Sequence, residues 1–279
     1  MKLLNLYLFI FLLFFVSCSS HKETTKDLSE KNKEEIRITL NDNVVFKNLG
    51  QKINTEYNEF GSAITGNGKI LYFTSNRPNR FSEKGDEDIW YSVKEGEEWG
   101  LPKNLGFPIN DKGSQATTAI QPDGQFVYFA LSERKDGYGD CDLYYSRLEG
   151  LRWTEPINLG PVVNSPYWDH HPTISSDGRT LIFASNRPGG YGNSDLWITF
   201  KDNEGNWSKP QNLGPNINTS GQEMSPFLSL DNKTLYFSSN SGPGVGGFDI
   251  FVSQYNNGVW SLRKNIGEPY NSPEDEYFI

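Results

Sequence analysis

The sequence predicts an all-β protein, a β-propeller of five blades made of four complete repeats and a composite blade closed by both termini. The phrase Asn-Leu/Ile-Gly recurs at spacings of 56, 54, 54 and 53 residues. Aromatic residues make up 14% of the chain, which also has 27 Gly and 15 Pro, a composition typical of short strands separated by many turns. Each repeat carries four strand signals, and four-stranded units repeated around a centre form a propeller. The phrase begins at Asn48, Asn104, Asn158, Asn212 and Asn265.

Residues 172–218 are the clearest repeat and show how each unit is divided. The pattern predicts a first strand at 173–175, followed by a turn at 176–179. Asp177 followed by Gly178 suits a tight turn with a left-handed residue, and alternating apolar residues after it predict a hairpin. The remaining strands are predicted at 180–184, 195–200 and 206–213.

Both ends of the predicted propeller domain, residues 36–279, are expected to contribute to the fifth blade. Residues 36–40 and 44–49 are typical of later strands, because Asn48 begins the phrase that ends the fourth strand elsewhere. Residues 274–279 align with the first strand of the first repeat, at 58–64. Together they give a composite blade with three strands.

The N-terminal residues 1–17 are predicted to be a lipoprotein signal peptide. A single Lys precedes an apolar run from Leu3 to Val16, interrupted by Asn5, which is short for a membrane span and suits a secretory signal. The run Phe15-Val16-Ser17-Cys18 resembles the lipobox of bacterial lipoproteins, with Phe15 where that family usually has Leu. The resemblance implies that Cys18 is lipidated and holds the protein at a membrane surface. An ordinary cleaved signal is the alternative.

The polar residues 18–35 predict a flexible tether, because they contain too little apolar surface to offset chain entropy. Ser19 rather than Asp follows Cys18, which in some bacteria favours sorting to the outer membrane. The only other cysteine is Cys141, so no disulfide framework is expected. A net charge of −9 argues against nucleic acid as a partner.

Two recurring residue types are predicted to serve the scaffold. Six of the seven Trp occupy two repeat positions, where large aromatics fill the space between blades. An Asp recurs after the longest loop, where its carboxylate can accept backbone N–H groups. A calcium site at Asp136, Asp140 and Asp142 is disfavoured because the matching loops lack these ligands, and neither a metal nor a cofactor is predicted. The recurring Asp residues are Asp88, Asp142, Asp195 and Asp249.

The loops that follow the predicted second strands open with Ser75-Asn76-Arg77 and Ser185-Asn186-Arg187. Residues 175–190 read S-x-D-G-x-x-L-x-F-x-S-N-R-x-G-G and are followed by Asp-Leu-Trp at 195–197. This run resembles the WD40-like propeller repeats of the TolB type, in four copies over about residues 57–271. The second copy departs at 131–134, Leu-Ser-Glu-Arg. The resemblance implies a periplasmic or outer-membrane-associated protein that binds an envelope protein or a peptidoglycan-associated partner.

Eleven residues after each repeated phrase stands a polar residue, four times a carboxylate and once an amide. These side chains are expected to ring the mouth of the central channel, on the face that carries the longest loops. They either lock neighbouring blades through hydrogen bonds, the favoured interpretation, or form an acidic funnel for a cation, a basic peptide or a sugar. They are Glu59, Gln115, Asp169, Glu223 and Glu276.

Residues 167–171 of the third repeat, Tyr-Trp-Asp-His-His, depart most from the repeat pattern, and such departures suggest a site. His170 and His171 are adjacent, so on a strand they are expected to point to opposite faces, which disfavours a shared metal. Tyr167 and Trp168 are expected to anchor a protein interface.

The sequence thus predicts a lipid-anchored, non-enzymatic binding module of the cell envelope, attached to the membrane only through its lipid. No G-x-S-x-G, HExxH or Cys-His arrangement occurs, so no enzyme is predicted. The alternatives are a structural spacer, or a glycan-active hydrolase or sugar-binding propeller. The hydrolase would use two of the four carboxylates, with Trp168 or Tyr191 as a sugar platform. The candidate binding face comprises Glu59, Arg77, Gln115, Tyr167, Trp168, Asp169, His170, His171, Arg187, Tyr191, Glu223 and Glu276.

Overall fold

The computed structural model describes residues 47–78, 86–111, 113–132 and 134–279. These residues are all-β, and their strands form four antiparallel sheets in a propeller-like arrangement, one blade for each repeat. None of these described residues belongs to a helix that could cross a membrane. The predicted signal peptide, the tether and Cys18 lie outside the described residues.

Each blade has three long strands and one or two short outer ones. Blade 1 contains β1 (Glu59–Ile64), β2 (Ile70–Ser75), β3 (Asp88–Glu95), β4 (Glu98–Trp99) and β5 (Lys103–Asn104). Blade 2 contains β6 (Gln115–Ile120), β7 (Phe126–Ser132), β8 (Cys141–Glu149), β9 (Arg152–Trp153) and β10 (Ile157–Asn158). Blade 3 contains β11 (Asp169–Ile174), β12 (Thr180–Ser185), β13 (Asp195–Phe200) and β14 (Gln211–Asn212). Blade 4 contains β15 (Glu223–Leu228), β16 (Thr234–Ser239), β17 (Asp249–Asn256), β18 (Val259–Trp260) and β19 (Lys264–Asn265).

The first strand of every blade contains the same irregularity. In blade 3 the register shifts between His170 and Thr173, so one residue is left unpaired with β12. The same shift occurs in β1, β6 and β15. A bulge interrupts the alternation of side chains along a strand. Residues before and after it therefore do not follow the simple two-residue pattern.

The hydrophobic core lies between neighbouring blades. Leu143, Leu181 and Phe183 are fully buried in the cluster shared by blades 2 and 3, and Leu235 and Phe237 in that shared by blades 3 and 4. The Trp residues at the repeat positions pack against these clusters, as the sequence predicts for a core role. They are Trp90, Trp197 and Trp260, which are buried, and Trp99, Trp153 and Trp207, which are partly buried.

The described residues contain four blades, and the fifth remains a prediction. Residues 274–279 do not form the expected strand, and residues 36–46 lie outside the described part. The repeat register nevertheless continues past blade 4. Asn271 bonds the N–H and C=O of Ile250 at 2.8 and 3.0 Å, as Asn218 does for Leu196. The segment at 271–279 therefore follows blade 4 as each first strand follows the preceding blade.

Candidate functional site

The carboxylate ring, defined as Glu59, Gln115, Asp169, Glu223 and Glu276, lies in the loops, with Glu59 and Glu276 only half-buried, and does not line the central cavity. Gln115, Asp169 and Glu223 have 0% exposure. The first four members begin the first strands, directly after the connection from the preceding blade. The expectation that these side chains ring a channel mouth therefore differs from the structure, because each is turned into its own loop.

Blade 3 shows how a member of the carboxylate ring is held. One oxygen of Asp169 accepts the backbone N–H of Ser165 at 2.6 Å and its hydroxyl at 2.8 Å. The other oxygen accepts Arg187 Nη2 at 2.5 Å. The guanidinium also donates to the carbonyl of Val163 and lies 5.0 Å from the ring centroid of Phe183. Asp169 thus ties the entry of the blade to the loop that carries Arg187.

Blade 1 repeats this arrangement. Glu59 accepts the backbone N–H and the hydroxyl of Thr55, and the ion pair of Glu59 with Arg77 is 2.8 Å long. Burial opposes ionisation of Glu59, but hydrogen bonds from Thr55, Ser75 and Arg77 outweigh it and lower the pKa of the carboxyl. A general acid for glycoside hydrolysis needs a raised pKa, so Glu59 is in the wrong environment for that role.

Blades 2 and 4 reach the same result with different residues. In blade 4, where Ser241 replaces the loop arginine, Arg263 donates to Glu223 at 3.1 Å and lies over Phe251. In blade 2 the donor and acceptor are exchanged, because Gln115 Nε2 donates to the carboxylate of Asp111 at 2.9 Å. Arg134 then pairs with Asp111. These compensations indicate a scaffold role for the ring.

In blades 2, 3 and 4 the second loop is fixed by the recurring Asp. Asp142 accepts the N–H of Tyr138, and Asp195 accepts that of Tyr191, both at 2.5 Å. A side chain at Gly139 would overlap the carbonyl oxygen of Tyr167, so the loop of blade 2 touches the entry of blade 3 through a bare backbone. Three tyrosines are left exposed on these loops: Tyr138 at 48%, Tyr167 at 42% and Tyr191 at 52%. Tyr138 is not among the predicted site residues, although Gly-Tyr-Gly occurs at both 137–139 and 190–192.

Trp168 and the two histidines form one cluster. The Trp168 ring stacks on His170 at 4.2 Å, and the rings of His170 and His171 are 4.0 Å apart. The expectation that the histidines point to opposite faces is therefore wrong, because His171 has φ +49° in the bulge of β11. Burial lowers the pKa of His170 to about 3 and that of His171 well below its ordinary range. Among the described residues, no cluster of three metal-ligating side chains occurs.

A second set of equivalent residues follows the first four members of the carboxylate ring, two positions later on each first strand. Each stands thirteen residues after the Asn of the preceding Asn-Leu/Ile-Gly phrase. We call Gly61, Thr117, His171 and Ser225 the inner ring; all four have positive φ and line the central cavity. Phe278 stands at the same offset in the last segment, 5.5 Å from the ring centroid of His171. His171 is among the predicted site residues, whereas Thr117 and Ser225 are not. Counting thirteen residues from each Asn-Leu/Ile-Gly phrase aligns all three positions.

Comparison with known proteins supports the fold. No protein-family model and no curated protein sequence matches the chain. TolB from Acinetobacter baumannii has a TM-score of 0.50 and 16% identity, over 76% of this chain and 44% of that one. A putative TolB from Agrobacterium tumefaciens has the same score and identity, over 78% and 69% of the two chains. This chain therefore spans less than half the length of the Acinetobacter protein.

The prediction that the chain is not an enzyme is corrected by these comparisons. A thermostable family-43 glycoside hydrolase has a TM-score of 0.49 and 14% identity over 78% of each chain, and peptidases also occur among the similar structures. The propeller fold thus gives no ground for excluding catalysis. At such identities likeness shows the fold alone, and the chain is a propeller similar in fold to TolB proteins.

Proposed function

We propose that this chain is a binding module of the bacterial cell envelope that presents its loop face to a protein partner or a cell-wall component. The loop face consists of the connections into the first strands and the loops between the second and third strands. The observation that carries the proposal is the exposure of three tyrosines on this face, Tyr138, Tyr167 and Tyr191, which we call the aromatic patch. Hydrogen bonds to Asp142 and Asp195 hold the loops that carry Tyr138 and Tyr191.

The patch has the properties of an interface anchor. Tyrosine offers a large contact area and a hydroxyl at a low entropy cost, and aromatic residues dominate the energy of many interfaces. Asp142 and Asp195 fix the loops before binding, which reduces the ordering cost. Trp168, expected to anchor the interface with Tyr167, instead packs against the core between blades 2 and 3, and its backbone N–H donates to Asn186 Oδ1 at 2.9 Å.

The binding test compares equally exposed aromatic residues on and off the loop face. Tyr167→Ala with Tyr191→Ala is expected to weaken capture of the partner by about 30-fold, equivalent to about 2 kcal/mol. Phe200→Ala is the matched control, because Phe200 is 43% exposed at the far end of β13. In-cell crosslinking measures the protein arm, and co-sedimentation with purified peptidoglycan measures the cell-wall arm. Equal losses in the double variant and the control would refute the proposal.

We also propose that the chain is a lipoprotein of the TolB-like propeller type, anchored through Cys18 to the outer membrane by a tether at 18–35. The lipobox resemblance and the similarity in fold to TolB proteins support this localisation. Cys18→Ala is expected to move the protein from the membrane fraction to the soluble fraction and to abolish labelling with palmitate. Membrane retention without the label would show another mode of attachment.

The fifth blade is proposed as a composite of residues 36–49 and 274–279. Its support is the contact between Phe60 in β1 and Phe278, whose ring centroids are 5.9 Å apart, and the bond from Glu276 N–H to the carbonyl of Phe248 at 2.9 Å. Deleting residues 1–46 should lower the melting temperature, whereas deleting residues 1–35 should leave it unchanged. Equal melting temperatures for the two deletions would contradict a composite blade.

A further inference from the structure

A cavity of about 260 Å³ lies among the first strands of all four blades and residues 278–279. It extends from the inner ring to the turns that follow the first strands, where it is lined by Gly66, Pro122 and Leu230. The first strands run from the loop face towards these turns, so the cavity opens at the end opposite the aromatic patch. A function of this cavity would therefore be separate from the one proposed for the loop face.

The walls of the cavity are apolar and carry no formal charge. Ile120, Ile174 and Leu228 are buried along it, and Phe227 and Leu230 are exposed at its mouth. Within the described part of the chain, its lining contains no Asp, Glu, Lys or Arg. A charged ligand would lose its hydration there without gaining a counter-charge, which is costly. The lining therefore favours a neutral ligand.

The inner ring brings to the cavity three side chains whose polar atoms are themselves buried and are not used by the fold. Thr117, His171 and Ser225 are only 3%, 9% and 6% exposed. In the described structure, Thr117 Oγ1, His171 Nδ1 and Ser225 Oγ have no hydrogen-bond partner. A buried polar atom without a partner costs about 1–3 kcal/mol. Gly61 and Phe278 at the equivalent positions show that packing here does not require a polar side chain.

The backbone at these residues adds a second cost. Thr117, His171 and Ser225 have φ values of 52°, 49° and 48°, a region that residues with a side chain rarely adopt. Such strain costs about 1–3 kcal/mol per residue and is concentrated at ligand sites. Three strained residues with unpartnered polar atoms in one cavity point to a group that would complete their hydrogen bonds.

We propose that this cavity binds a small neutral molecule with an apolar body and a hydroxyl or amide head that hydrogen-bonds to Thr117 and Ser225. Rotation about the Cα–Cβ bond lets both hydroxyls turn towards such a head. The cavity is slightly smaller than the roughly 300–1,000 Å³ of pockets for drug-sized ligands, so the molecule is a compact one.

The test uses three probes of one shape on the full chain, followed by fluorine NMR. These are 4-fluorobenzyl alcohol, 4-fluorobenzoate and 4-fluorotoluene, which differ in charge and in the polar head. We expect saturable binding of the alcohol, with benzoate at least about tenfold weaker because its charge finds no partner. Absence of saturable alcohol binding, or equal binding of benzoate, would overturn the proposal.

A double variant distinguishes hydrogen bonding by the inner-ring hydroxyls from binding through apolar contact alone. The near-isosteric pair Thr117→Val with Ser225→Ala is expected to weaken the alcohol by about tenfold, the value of about one hydrogen bond, and to leave the toluene unchanged. If both probes keep their wild-type affinity, the hydroxyls are not the recognition groups and the proposal fails.

A mouth variant keeps the test decisive if the double variant does not fold. Leu230→Ala should weaken the alcohol by removing apolar contact at the cavity, and Leu151→Ala, at an exposed leucine outside the lining, should not. Equal effects of the two leucine variants would place the probe elsewhere on the surface and refute the site.

Discussion

The carboxylate ring and the inner ring lie two residues apart on the same strands, yet they differ in how their polar atoms are satisfied, with Gln115 Oε1 as the exception in the carboxylate ring. Asp169 is 0% exposed and bonded on both oxygens, whereas His171, on the same strand, has an unpartnered Nδ1 among the described residues. A repeated position with satisfied polar atoms serves the scaffold. A repeated position that keeps strain and unsatisfied atoms retains free energy that a ligand can recover.

The two rings also differ in how they tolerate change. Where the carboxylate ring varies, a neighbour compensates: Asp111 for Gln115, and Arg263 for the arginine missing at Ser241. The inner ring changes from Gly61 through Thr117, His171 and Ser225 without such compensation. A position whose changes are compensated by a neighbour is therefore required by the structure of each blade. A position whose changes are not compensated can carry a residue that serves binding.

The largest expected effect comes from breaking one buried pair of the carboxylate ring. Asp169→Ala leaves Arg187 with its carboxylate partner removed, which should lower the free energy of unfolding by about 3–5 kcal/mol. Urea denaturation measures the change. Glu149→Ala is the control, because the pair of Arg147 and Glu149 is more than half exposed and should cost no more than about 1 kcal/mol. Equal losses would show that Asp169 is not a scaffold residue.

The histidine pair predicts a dependence of stability on pH. Because burial lowers the pKa of His170 from its ordinary value of about 6.5 to about 3, the fold favours the neutral ring. Stability should fall as the pH decreases from about 6.5 towards 3, by up to about 2 kcal/mol for His170 between pH 7 and pH 5.

Thermal or urea unfolding of His170→Phe at both pH values provides the control, because phenylalanine can stack on Trp168 but cannot be protonated. The loss between pH 7 and pH 5 should shrink in this variant. Glu59, whose pKa is lowered, contributes to pH dependence mainly below pH 5. An unchanged loss would mean that His170 is not the titrating group.

The smallest expected effect tests the strain in the inner ring. Ser225→Gly should raise the free energy of unfolding by up to about 1 kcal/mol, because glycine adopts φ +48° without steric cost. Ser62→Gly in β1 should instead lower it by about 0.5–1 kcal/mol, because there glycine only adds freedom to the unfolded chain. Destabilisation by both variants would show that Ser225 is not strained.

The predicted strands of the third repeat agree with β12 and β13 within one residue, because alternating apolar residues and Asp-Gly turns are local signals. The first strand begins at Asp169, earlier than expected. The residues before Thr173 do not alternate between apolar and polar, so they gave no strand signal. The adjacency of His170 and His171 could not be predicted. It depends on a bulge that recurs at the same register of all four first strands although the residue there differs from blade to blade, so no local residue pattern marks it.

The sequence by itself determined the repeat, its register as far as Glu276 and the aromatic core, because these follow from spacing and from the burial of large side chains. Only the tertiary structure decided which repeated polar residues are satisfied. That outcome depends on residues far apart in the chain, such as Arg263 reaching Glu223. The inner ring became visible only when the first strands of four blades met around one cavity, because unpartnered atoms are a property of the assembled fold.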